Sequence, residues 1–203
     1  MKPQKFLIAL AFISLALFSC SKDDDSNDQE EETIQQQVEN FLTTDTKNSL
    51  AQLGFIFRDG DDQPDISGEF LYQVLKLDGT NIPDDYATGT TFYPTTVNFS
   101  DLNPQNKTFS FSGNDTESTF GDATATFYSG IGNNFSAYVK HHAYIEDSSV
   151  ILLQAFSGTI TPEGITNAQM ATIMVDNNGN SVDYIENNQG RLFIDEDGTA
   201  ERQ

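Results

Sequence analysis

Residues 135–145 alternate strictly: Phe135, Ala137, Val139, His141, Ala143 and Ile145 fall on one face of an extended chain, and Tyr138, Lys140, His142 and Tyr144 on the other. A two-residue period does not fit a helix, so this segment is a strand with one core face and one wet face. The same texture fills the chain from Ile66 onward, in short runs of Thr, Phe, Tyr, Val and Ile separated by Gly, Asn and Asp, with no helical period between them. Strands are predicted at 67–77, ended by the hairpin dipeptide Asp78-Gly79, and at 90–99, interrupted by Pro94, which donates no ladder hydrogen bond and belongs at an edge or bulge. Further strands follow at 107–112, 119–128 and 135–145. The run 150–160 is nearly all apolar at its start, as in a strand covered on both faces. Segments 170–175, 181–185 and 191–194 complete the set, with Asp195-Glu196-Asp197-Gly198 ending the sheet. Sequential, closely linked strands make an all-β domain over 59–203: an antiparallel up-and-down barrel or a β-sandwich. A count near eight favours the barrel, whose interior either fills with side chains or holds one small ligand.

Residues 33–44 differ, placing Ile34, Val38, Phe41 and Leu42 at helical offsets, with a second short turn carrying Leu50 and Leu53 before Gly54. An apolar stripe this small does not fold alone. The segment 33–58 is therefore expected to dock on the β domain as a short N-terminal helix.

The N-terminus carries an address. Lys2 and Lys5 precede an apolar stretch over 6–18, the layout of a secretory signal, and it falls short of the roughly 20 residues a membrane span needs. The only cysteine of the chain, Cys20, stands where that stretch stops, in Leu17-Phe18-Ser19-Cys20. Residues 21–32 then hold seven carboxylates, one lysine and no apolar side chain, which makes 20–32 a disordered tether.

These features together resemble a bacterial lipoprotein signal followed by the acidic tag of surface-exported lipoproteins. The resemblance implies that residues 1–19 are removed and that Cys20 carries a diacylglyceryl thioether and an N-acyl chain. Several acyl chains anchor stably where one does not. The expected location is the outer membrane, facing the cell exterior.

A formal charge of −21 excludes nucleic acid as a partner, since affinity for it comes mainly from Lys and Arg neutralising phosphates. It also repels anionic lipid headgroups, so contact with the membrane runs through the lipid on Cys20. No cysteine follows Cys20, which removes disulfides, thiolate metal sites and a cysteine nucleophile. His141 and His142 are adjacent on a strand and point to opposite faces, so they cannot chelate one metal; His141 is expected in the core and His142 in solvent. No Gly-x-Ser-x-Gly elbow is present. The acidic loops Asp59-Gly60-Asp61-Asp62 with Asp65, Asp176-Asn177-Asn178-Gly179 and Asp195-Glu196-Asp197-Gly198 have oxygen ligands of the kind calcium takes. None completes a calcium-binding loop, and Asp and Asn are ordinary turn residues. No catalytic residue, metal site or cofactor is expected.

Gly68-Glu69-Phe70 at the head of the first strand, with Arg191 in the last, is similar to the lipocalin arrangement in which a late basic side chain covers an aromatic residue at the closed end of the barrel. That resemblance implies a lipocalin-like barrel with Arg191 over Phe70. The functional expectation is a non-enzymatic surface lipoprotein that binds a small apolar ligand or a partner, with the binding residues open. The alternative is a structural or adhesive envelope protein without a cavity. A largely apolar pocket separates the two.

Overall fold

The computed structural model describes residues 33–115, 120, 123–145 and 148–203. The signal over 1–19, Cys20 and the acidic tether lie outside the described residues.

Among the described residues two helices precede the sheet: α1 (Ile34–Phe41) and α2 (Thr44–Leu53). The Thr33 hydroxyl accepts from the Gln36 amide while the Gln36 side chain accepts from the Thr33 amide, a reciprocal cap that fixes where α1 begins. The helix expected over 33–44 ends at Phe41, and the second turn expected around Leu50 and Leu53 is the longer helix α2, because Thr43 turns extended to cap it, its hydroxyl accepting from the Thr46 amide. Among the described residues, no helix is long and apolar enough to cross a membrane.

Strands follow at β1 (Asp61–Asp62), β2 (Gly68–Tyr72), β3 (Leu75–Thr80), β4 (Thr91–Phe92), β5 (Thr95–Asn103), β6 (Thr108–Asp115), β7 (Ala123–Ile131), β8 (Asn134–Ile145), β9 (Ser148–Ile160), β10 (Gly164–Asp176), β11 (Gly190–Asp195) and β12 (Thr199–Arg202). The fold is all-β, and these twelve strands form one sheet rather than the two of a sandwich. Along the sheet the order is β1-β7-β8-β9-β10-β12-β2-β5-β6, and it curls into a half-barrel. Its ladders are antiparallel except β1 with β7, where Asp61 pairs with Gly130 in parallel, so the sheet is mixed and not purely antiparallel.

β10 is the branch point. One edge pairs with β9; the other pairs with β12 near Gly164 and with β11 from Gln169 to Ile173, and β11 leads on to β3 and β4. β6 and β7 meet at a seam. There the Tyr128 amide donates to the Lys107 carbonyl (2.9 Å), and the Thr126 hydroxyl donates to the Phe109 carbonyl (2.7 Å) and accepts from the Phe109 amide (3.1 Å). A threonine side chain takes the place of ladder bonds across this gap.

Several predicted boundaries move for identifiable reasons. Segment 67–77 is two strands, because the chain changes neighbours at Gln73-Val74, where the Val74 amide donates to the buried Asp195 carboxylate. Asp78-Gly79 is not a hairpin turn. Gly79 pairs with Leu192 and Leu77 with Phe193, so Asp78 is the extra residue of a bulge. A Cβ on Gly79 would run into the Leu53 carbonyl oxygen, so glycine lets α2 close on β3. Pro94 marks the break between β4 and β5. Residues 181–185 form no strand, 181–184 being turn and bend, and Asp195-Glu196-Asp197-Gly198 does not end the sheet but turns β11 into β12.

Two apolar clusters share the central strands. Inside the half-barrel Phe70, Val97, Phe99, Phe135, Val139 and Phe156 are fully buried. Outside, Val38, Leu42, Leu50 and Leu53 of the helical segment pack on Tyr138, Leu153, Ala171, Ile173 and Leu192. The predicted wet face of β8 is therefore covered. Tyr138 is buried, and Lys140 donates through Nζ to the Phe41 carbonyl (2.6 Å) over the Phe41 ring, leaving Tyr144 as the exposed residue of that row. This is why 150–160 reads as apolar on both faces.

Leu50 sits wholly buried at the centre of the outer cluster. Leu50→Ala is expected to lower the unfolding free energy by about 2–5 kcal/mol, measured by urea denaturation.

Candidate ligand pocket

Strand register stacks side chains on the inner face in rungs. One rung runs Ala137, Phe156, Met170, Phe193 and Leu77 across β8, β9, β10, β11 and β3. The next, two residues along each of the first four strands, runs Val139, Gln154, Thr172 and Arg191, with Thr80 opposite Arg191. The first rung is apolar and packed; the second turns polar from Gln154 onward. Beyond the first rung, Phe99 joins Phe156 (ring centroids 5.3 Å), Phe109 (5.5 Å) and Phe70 (6.0 Å), so that end of the interior is filled by aromatic rings.

Above this floor lies a cavity of about 210 Å³. Met170 and Phe193 belong to the floor and Gln154, Thr172 and Arg191 to the polar wall; Phe92, its ring centroid 5.0 Å from that of Phe193, and Phe120 complete the lining. Tyr93, more than half exposed, stands at the rim.

Arg191 is electrically occupied. Its Nε and Nη2 donate to the two carboxylate oxygens of Asp85 (2.8 and 2.6 Å), and its guanidinium lies over the rings of Tyr86 (5.4 Å) and Phe92 (5.8 Å). The guanidinium holds the Asp85 carboxyl well below the usual carboxylate range, helped by a hydrogen bond from the Thr80 hydroxyl (2.6 Å). The pair presents the cavity with a fixed polar wall and no uncompensated charge from either group.

Gln154 is different. It is 3 % exposed, and its Oε1 has no hydrogen-bond partner among the described residues. A buried acceptor left unpaired costs about 1–3 kcal/mol. His141, one rung beyond on β8, is also buried; its Nδ1 lies 3.3 Å from the His142 carbonyl oxygen, its Nε2 lacks a partner among the described residues, and its ring centroid is 6.0 Å from that of Phe120. His142 lies on the other face, half-buried rather than exposed, beside Tyr144.

Arg191 does not cover Phe70. That position belongs to Arg202 of β12, whose guanidinium lies 4.7 Å from the Phe70 ring centroid and whose Nη1 donates to the Ser67 carbonyl (2.8 Å). A Cβ on Gly68 would meet the same Nη1, which gives the glycine two positions before the aromatic residue its reason. The last strand is β12 and not the one that holds Arg191, so the late basic side chain is Arg202.

The acidic loops direct their carboxylates to the backbone and to neighbouring side chains. Asp65 accepts from the Ser67 amide (2.9 Å), Asp176 from the Asn178 amide (2.8 Å), Asp195 from the Asp197 amide (3.2 Å), and Asp61 pairs with Lys107 (3.2 Å). Among the described residues no three of His, Cys, Asp and Glu are grouped to hold a metal ion. Cys20 is outside the described residues. Sequence reasoning missed Asp85, one acid among 31 Asp and Glu with nothing to mark it. It also missed Gln154, whose signal was available: a lone amide inside an apolar run.

Comparison with protein-family models, curated proteins and solved structures gave no match to this chain.

Burial holds His141 below its ordinary pKa of 6.5. From 6.5 down to the folded value the unfolded chain carries the extra proton, so this contribution is intact above pH 6.5 and is lost as the pH falls. Asp59 and Asp195, raised by burial, act in the opposite sense, so the comparison must be between variants. The thermal midpoint of the wild type should drop more between pH 7 and pH 5.5 than that of His141→Gln.

Proposed function

We propose that this chain is a lipid-anchored protein of the bacterial outer membrane, facing the cell exterior, which binds a small, largely apolar ligand and performs no catalysis. The observation behind binding is the cavity above Met170 and Phe193: apolar on most sides, with a few placed polar groups in its wall, the usual build of a small-molecule site. The weak lipocalin resemblance of Gly68-Glu69-Phe70 would point the same way, although the cation over Phe70 is Arg202 and not the Arg191 that the resemblance implies.

The non-catalytic reading rests on how the polar groups are engaged. Arg191 and Asp85 neutralise each other, and His141 activates no hydroxyl among the described residues. The anchoring reading rests on Cys20 and its acidic surroundings in the sequence.

A structural or adhesive role is the second reading, favoured by the aromatic filling of the far end of the half-barrel. Native mass spectrometry of the lipidated protein from its own cells separates them. One co-purifying small molecule is expected; a bare protein mass favours the scaffold. Anchoring is tested independently by Cys20→Ala, which should release the chain from membranes. Equally firm attachment would overturn it.

A further inference from the structure

We propose that the cavity takes an uncharged ring compound bearing a carbonyl group, such as an aryl ketone or a lactone, with its ring on Met170 and Phe193 and its carbonyl oxygen on the outer edge of the Arg191 guanidinium. This inference rests on the ligand-binding reading above and adds the chemical class.

The polar contact is set by what Asp85 leaves open. Arginine carries five N–H donors in a rigid planar fork, and the Asp85 carboxylate takes one from Nε and one from Nη2. The edge between Nη1 and Nη2 keeps a parallel pair of N–H groups, for which no described residue supplies an acceptor. That edge is not sealed in the protein. The Arg191 side chain is 30 % exposed, none of its nitrogens is both buried and unpartnered, and the residue lines the cavity. Thr172, directly opposite Arg191 on β10 and half-buried, brings a hydroxyl to the same wall. A carbonyl oxygen has lone pairs for both N–H groups, and hydrogen bonds from an ionised donor are the strong ones.

Charge separates a carbonyl from a carboxylate, which would fit the same fork. Asp85 is 3 % exposed and held in its ionised form by Arg191, so the charge of the guanidinium is already balanced. A second carboxylate would share that one cation with Asp85, on a chain that carries −21. A cation seeks aromatic faces, and here the guanidinium lies over Tyr86 and Phe92 and repels it. An uncharged acceptor meets neither conflict.

Size limits the rest of the guest. A dry cavity of about 150 Å³ holds benzene, so about 210 Å³ has room for one ring and a small acyl group. Long acyl chains would have to run down the interior, where Phe156, Phe99 and Phe70 are fully buried.

Fluorine NMR of the full chain with three probes tests this: 4-fluoroacetophenone, 4-fluorobenzoate, and 1-fluoro-4-isopropylbenzene, in which a methyl group stands where the ketone has its oxygen. The ketone should bind more tightly than the hydrocarbon, although the hydrocarbon is the more apolar, and about tenfold or more tightly than the benzoate. Arg191→Lys keeps a cation beside Asp85 but loses the fork. It should lower the ketone-to-hydrocarbon affinity ratio about tenfold. A hydrocarbon bound as tightly as the ketone by the wild type, a benzoate bound more tightly than the ketone, or a ratio unchanged in Arg191→Lys would each overturn the proposal. The wild-type order stands as a test by itself if that variant does not fold. Should no probe bind while native mass spectrometry still finds a co-purifying molecule, the assigned class falls and the pocket reading stands. Should no probe bind and the protein mass be bare, both fall.

Discussion

Burial of β8, β9 and β10 from both sides is the constraint on which the rest of the structure depends. Successive residues on these strands feed two different cores: Ala137, Val139 and Phe156 face the half-barrel interior, and Tyr138, Leu153 and Ala155 face the helices. A sheet with two apolar faces needs a cover on each. The interior is covered by its own curl, and the outer face by α1 and α2, whose caps and glycine stop give them the length and angle to lie across it. The rungs that build the pocket are the inner half of this arrangement, so the helices hold the site without touching the cavity.

Much of this architecture is written in local periodicity. The alternation from Phe135 onward, the doubly apolar start of β9 and the helical stripe from Ile34 to Leu42 are all visible because each depends on neighbours a few residues away. What periodicity does not carry is which strand lies beside which. The fork of β10 and the parallel pairing of β1 depend on contacts distant in sequence, and Asp78-Gly79 has turn composition although steric approach to Leu53 decides its role. The wet face assigned to β8 failed for the same reason: Lys140 looks like a solvent residue until Phe41 offers its carbonyl and its ring. At the pocket, the apolar floor follows from strand patterning. The pairing of Arg191 with Asp85 spans 106 positions and leaves no local trace.

The half-barrel divides its interior into two uses. Packed aromatic rings give one end stability through burial, while at the other the row Gln154, Thr172, Arg191 interrupts the apolar lining. The proposed role follows from that division. The filled end supplies the rigidity that a binding site needs from its scaffold, and the polar row restricts what the open space accepts.

The placement of β12 bears on how the chain acquires its shape. This short strand joins β10 to β2, and through Arg202 it reaches Ser67, 135 positions earlier. Until residues 199–202 are made, β2, β5 and β6 have no hydrogen-bonded link to β10 through that route. Closing such a distant contact is slow, so until the last strand docks β2 lacks a partner along one edge and the Phe70 ring lacks its cation, which makes residues 199–202 the latch of the half-barrel.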